Sequence, residues 1–118
     1  MPRIETEDGR TVEAPVIHLN GSHPDRLEED FTEIRHALIA AFDKLATSGP
    51  NQRDYYVLAP EAEARRAWEA AVAEHRARLD TLNKLIADFE ALQRHASDAA
   101  ERRRQSIIPS RAMLEIVK

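Results

Sequence analysis

Apolar positions recur at helical spacing through most of the chain. Leu27, Phe31, Ile34, Leu38, Phe42 and Leu45 follow one another in steps of four, three, four, four and three, which predicts an amphipathic helix over residues 24–47. Ser22 is placed to cap it, with Asp25 as the acid of a capping box and Pro24 tolerated in the first turn. Ser48-Gly49-Pro50 stops it. A second stripe, Trp68, Val72, His75, Leu79, Leu82, Ile86 and Phe89, alternates steps of four and three like a coiled-coil seam. It predicts a long helix from 60 at least to 96 and as far as 105, roughly 55 to 70 Å in length against roughly 36 Å for the first. The excess needs another surface to pack on, so the pattern points to a homo-oligomer assembled through 60–105.

The remaining segments are short. Ile4–Glu7 and Arg10–Glu13 flank Asp8-Gly9, a dipeptide suited to a tight hairpin turn. Val16-Ile17-His18-Leu19 is extended, with Ile17 and Leu19 on one face and His18 on the other. Residues 1–21 thus form a β-like arm. The connector 49–60, GPNQRDYYVLAP, reads as irregular extended chain in which adjacent Tyr55 and Tyr56 point to opposite sides. In 106–118, Pro109 breaks the pattern, leaving a tail that docks as a short helix or strand. The expectation is one mainly α-helical domain over 1–118, an antiparallel helical hairpin with a short β-like arm.

Composition narrows the chemistry. Across 118 residues aromatics are scarce at 5% and the formal net charge is −4, so no broad positive field draws the chain to nucleic acid or an anionic membrane. There are no cysteines, which removes disulfides and thiol nucleophiles. No apolar run has the length of a membrane span, and MPRIETEDGR lacks the apolar core of a signal peptide. The expected location is the cytoplasm. The five histidines are scattered, with none of the one-turn pairing that a helical metal site uses, so neither metal nor cofactor is expected. Ser22 beside His18 and His23 imitates a nucleophile and base, but nothing in the sequence supplies the orienting group or oxyanion site of a triad. No enzyme is expected. Arg102-Arg103-Arg104 reads as a solvated helix end complementing the macrodipole.

What is left suggests binding. Asn20, Gly21, Ser22 and His23 lead into a helix start, where backbone N–H groups and the dipole favour an anion. Arg53, Tyr55 and Tyr56 add a guanidinium and aromatic faces, though one helix length separates them from the loop, so a neighbouring subunit has to bring them together. His75, within the apolar seam, reads either as a hydrogen-bonded core histidine or as a polar contact on a pocket or interface wall.

These residues also carry a resemblance. His18-Leu19-Asn20-Gly21-Ser22 before a striped helix, then Pro50-Asn51-x-Arg53-Asp54-Tyr55-Tyr56 before a second helix with Glu74-His75-x-x-Arg78, resembles a group of small helical proteins encoded by phages and prophages. The likeness spans residues 16–95, and Val57-Leu58-Ala59-Pro60 departs from it where the group has a more polar, glycine-containing stretch. It implies a non-enzymatic phage accessory protein in the host cytoplasm. Such a protein would sequester a phosphorylated or nucleotide-like host immune signal in an intersubunit pocket made by His18, Asn20, Gly21, Ser22, His23, Arg53, Tyr55, Tyr56 and His75. The alternative is a helical adaptor or inhibitor that engages a host protein.

Overall fold

The computed structural model describes residues 2–18, 20–56 and 60–117, with side chains up to residue 105. In chain order they form strands β1 (Arg3–Glu5) and β2 (Thr11–Glu13), helix α1 (Pro24–Thr47), a 3-10 turn (Gln52–Tyr55) and helix α2 (Glu61–Val117). The molecule is mainly helical, and α1 begins and ends where the apolar stripe places it. The chain packs as two compact units, one of Met1–Arg35 with Ala87–Lys118 and one of His36–Ile86.

In the first unit β1 and β2 pair antiparallel, with Arg3 opposite Glu13, Ile4 opposite Val12 and Glu5 opposite Thr11. The connection is one residue longer than Asp8-Gly9 alone suggests. The Gly9 amide donates to Thr6 O at 3.1 Å and the Thr6 amide donates to Arg10 O at 2.8 Å, leaving a three-residue loop, Glu7-Asp8-Gly9. Only Gly9 has positive φ, at 84°, as a turn followed by a glycine bulge requires; a two-residue turn of the first primed type would need positive φ at Asp8 as well. The buried Thr6 hydroxyl donates to the Asp8 carboxylate and accepts from the Arg10 amide at 3.1 Å. Arg10 Nε donates to Asp8 at 2.7 Å. These hydrogen bonds, Arg10 first and Thr6 second, pull the Asp8 carboxyl down from 3.8 to about 2.

The hairpin is held on α2 by two polar contacts. Arg10 Nη2 lies 2.9 Å from Asp88 Oδ1, and His95 Nε2 lies 3.0 Å from the Pro15 carbonyl, to which it donates. Asp88 and His95 are two helical turns apart, so both project from one face of α2. Phe89, Gln93 and Arg104 lie on a neighbouring face and meet α1. Phe31 and Phe89 ring centroids are 6.0 Å apart, Arg35 Nη1 donates to Gln93 Oε1 at 2.7 Å, and Arg104 Nη1 lies 3.4 Å from Asp25 Oδ1.

With two elements laid on it, this stretch of α2 carries the core. Ala91, Ala96, Ala99 and Ala100 are buried, as are Ala14 and Thr6 in the arm and Pro24 at the start of α1. Of the large residues of the predicted stripes, Ile34 is 39% exposed and the others are half-covered. The core thus falls on small residues that a search for bulky apolar positions passes over.

Two expectations need correction. The chain at Tyr55 and Tyr56 is not extended, because Asn51 Oδ1 accepts from the Arg53 amide at 3.1 Å and the Asp54 amide reaches Asn51 O at 3.0 Å, capping the 3-10 turn. Nor does α2 stop at 105. It continues through Pro109 to Val117, so 106–117 extends the helix instead of forming a separate docking tail. Proline removes one helical hydrogen bond, but helix-compatible residues on both sides carry the backbone past it. How the tail's side chains dock lies outside the described residues, as do Leu19 and residues 57–59.

Two outcomes follow. Ala96, with none of its surface exposed, leaves no room for growth, so Ala96→Leu should cost about 1–3 kcal/mol by overpacking, seen as a lower midpoint in thermal or urea unfolding. Since the Asp8 pKa is lower in the folded chain, its contribution to the hairpin should be complete above pH 3.8 and disappear as the pH falls through about 2. Carboxyl NMR titration checks this, and the transition should be missing in Asp8→Asn.

Candidate ligand-binding cleft

The run from Val16 into α1 crosses exposed surface in the first unit and folds on itself. The Gly21 amide donates to His18 O at 3.1 Å, closing a tight turn. The His18 ring lies over Gly21 so closely that a Cβ there would come within 2.9 Å of Nε2. A side chain at this position would have to displace the exposed His18 ring, while the backbone φ of Gly21 makes no demand for glycine.

The helix start departs from the Ser22 capping box. His23 closes it: its carbonyl accepts from the Arg26 and Leu27 amides, both at 3.1 Å, and its Nδ1 accepts from the Asp25 amide at 3.1 Å. An acceptor Nδ1 places the ring proton on Nε2 in the neutral imidazole, a tautomer assigned from this hydrogen bond. Pro24 has no amide hydrogen. Every backbone N–H from 25 to 27 is thus already engaged, and the premise that this helix end offers spare N–H groups to an anion is corrected.

A cleft of about 460 Å³ opens here, lined by Ile17, His18, Gly21, Ser22, His23 and Arg103. Four residues singled out from the sequence converge on it, and no carboxylate is among its described lining residues. Asn20 is exposed in the turn and does not line it.

Read from sequence, Arg102, Arg103 and Arg104 stand together as a solvated helix end, with nothing to single out Arg103. In a helix that continues to Val117, Arg102, Arg103 and Arg104 face different directions at about 100° per residue. Arg103 reaches the cleft, while Arg104 pairs with Glu101 at 2.8 Å and with Asp25. The Arg104 hydrogen bond holds the Glu101 carboxyl below its usual range.

Arg53, Tyr55, Tyr56 and His75 belong to the second unit and are not among the residues lining this cleft. Arg53 is exposed on the 3-10 turn, Tyr55 is half-buried and Tyr56 is 48% exposed, its hydroxyl accepting from Gln52 Nε2. His75 is half-buried and packs on the turn after α1, where a Cβ on Gly49 would meet its Nε2 at 3.2 Å.

A second, smaller hollow of about 140 Å³ lies between the hairpin and α2, lined by Ile4, Glu5, Ala91, Arg94, His95 and Asp98. Among the described residues no group of three or more histidine and carboxylate side chains is placed to hold a metal ion. Among them, too, no helix is long and apolar enough to cross a membrane.

Comparison with protein-family models, with curated proteins and with solved structures returns no match.

The imidazole cap makes a specific demand. His23→Ala should destabilise the chain by about 0.5–2 kcal/mol, and His23→Asn, which restores an acceptor to the same amide, should recover most of the loss in thermal melts.

Proposed function

We propose that the protein is a non-enzymatic binding protein that captures a small phosphorylated or nucleotide-like ligand in the cleft at the start of α1. The observation that supports it is the convergence of His18, Gly21, Ser22 and His23 with Arg103 on one opening whose described lining carries no carboxylate. Recognition is by side chains, since the helix amides are engaged. Arg103 supplies a guanidinium for phosphate oxygens, Ser22 a hydroxyl, His23 an Nε2–H donor and Ile17 an apolar wall. In the wider form of this proposal, Arg53, Tyr55, Tyr56 and His75 of a neighbouring copy complete the pocket. Its phage setting, host cytoplasm and immune-signal ligand rest on the resemblance of the loop and connector alone.

The same proposal takes α1 and α2 as an antiparallel helical hairpin. Two contacts in the first unit support it: moving forward along α1 from Asp25 to Phe31, the partners move back along α2 from Arg104 to Phe89. A second reading, a helical adaptor or inhibitor, is favoured by a different observation, the half-covered apolar stripe of the His36–Ile86 unit.

Thermal-shift measurements against inorganic phosphate, ADP-ribose and a panel of cyclic dinucleotides separate the two. A ligand of the cleft should raise the melting temperature of the full chain, by about 2.7 kcal/mol of stabilisation at a hundred times its Kd, and Arg103→Glu should abolish the shift. No stabilisation by any of them, together with a protein recovered on the immobilised chain, leaves the adaptor.

A further inference from the structure

The cleft at the start of α1 is lined by two imidazoles, and their surroundings give them different hydrogen-bonding duties. We infer that capture of an anion there is coupled to uptake of a proton by His18, while His23 donates to the anion without taking one up. This rests on the cleft being the ligand site and adds how that site responds to pH.

His23 is committed by the helix start. Its Nδ1 accepts from the Asp25 amide at 3.1 Å, so the proton of the neutral ring stands on Nε2, where it can be donated. A second proton can enter only at Nδ1. There it would meet the amide hydrogen, remove the side-chain cap and add a positive charge at the positive end of the α1 dipole. Asp25 Oδ2 lies farther from Nδ1, at 3.6 Å, and Oδ1 of the same carboxylate lies 3.4 Å from Arg104 Nη1, with Arg104 in turn paired to Glu101 at 2.8 Å. The Asp25 carboxylate already has a cation beside it.

His18 carries no such commitment. Its ring rests over Gly21, where a Cβ would intrude on it, and among the described residues neither ring nitrogen has a hydrogen-bond partner. The charged and titratable groups that share the cleft with it are His23 and, from α2, Arg103; no carboxylate is among the described lining residues. With no described carboxylate in the lining, an entering anion is what supplies a counter-charge to a protonated His18. An opposite charge within about 4–6 Å favours the charged form of an ionisable group by about one to three pH units, and each unit is about tenfold in affinity. Imidazole takes up its proton between about pH 5 and 8, which sets the window. Capture strengthens as the pH falls through that range and relaxes as it rises.

Sulfate, a tetrahedral dianion whose own charge does not change in this window, is the probe. Its affinity for the full chain, measured by NMR titration at constant ionic strength, should be about tenfold higher at about pH 6 than at about pH 8. His18→Asn should flatten this dependence, and Gly21→Ala, which displaces the ring, should reduce it. His23→Asn should keep it, since asparagine retains an acceptor for the cap, and so should His36→Asn, at an exposed position in the other unit. The imidazole C–H resonances should divide in the same way, sulfate moving the titration of His18 upward and leaving that of His23 nearly in place. Sulfate bound equally well at both pH values, or a pH dependence lost in His23→Asn and kept in His18→Asn, would overturn the inference while leaving the cleft an anion site. Sulfate bound at neither pH would overturn it together with the ligand site on which it rests.

Discussion

The described fold turns on how the N-terminal arm lies against one face of α2. A three-residue-per-strand hairpin is marginal by itself, and a helix with a modest apolar stripe is not much better placed. Joined through Asp88 and His95, they leave Ala14 and Thr6 of the arm and Ala91 and Ala99 of the helix buried. A neighbouring face of the same helix turn receives Phe31, Arg35 and Asp25 from α1. Partnering α2 on two sides at once buries Ala91, Ala96, Ala99 and Ala100, while the bulkier Phe89 and Leu92 of the same stretch stay half-exposed.

That arrangement explains which parts of the molecule could be read from sequence. Helix α1 was legible to the residue because its stripe of Leu, Ile and Phe is continuous and both ends carry punctuation. The arm's hairpin was legible in place but not in turn type, since Asp-Gly suits both a two-residue turn and a glycine bulge and only the Thr6 hydrogen bonds separate them. The core itself was not legible. Pattern reading weights large apolar side chains, and the residues that close the seam are alanines. His95 was passed over because its partner is a carbonyl eighty positions away in the chain.

The loop before α1 shows a similar limit. Its residue types marked it for attention, and most of them do share a cleft. The sequence could not show that an imidazole, in place of the neighbouring hydroxyl, closes the helix start, nor that this leaves no amide over. It also could not place Arg103, which reaches the cleft because α2 packs beside the start of α1. The chemistry available at the cleft therefore comes from side chains contributed by two distant segments. The shape of the cleft is tied to the packing of α1 against α2.

The alanine seam has a consequence for how this chain can diverge. At Ala91, Ala96, Ala99 and Ala100 a larger residue meets packed atoms, and glycine, the one smaller choice, loosens the helix backbone. The stripe positions of 36–86 and the exposed loop have far more latitude, within the limits of whatever they bind. Drift should therefore be slowest in the stretch whose composition looks least distinctive. A distant relative would be recognised more securely by small residues recurring on two adjacent faces of the second helix, with an aspartate and a histidine two turns apart, than by the loop and tyrosines that first draw the eye.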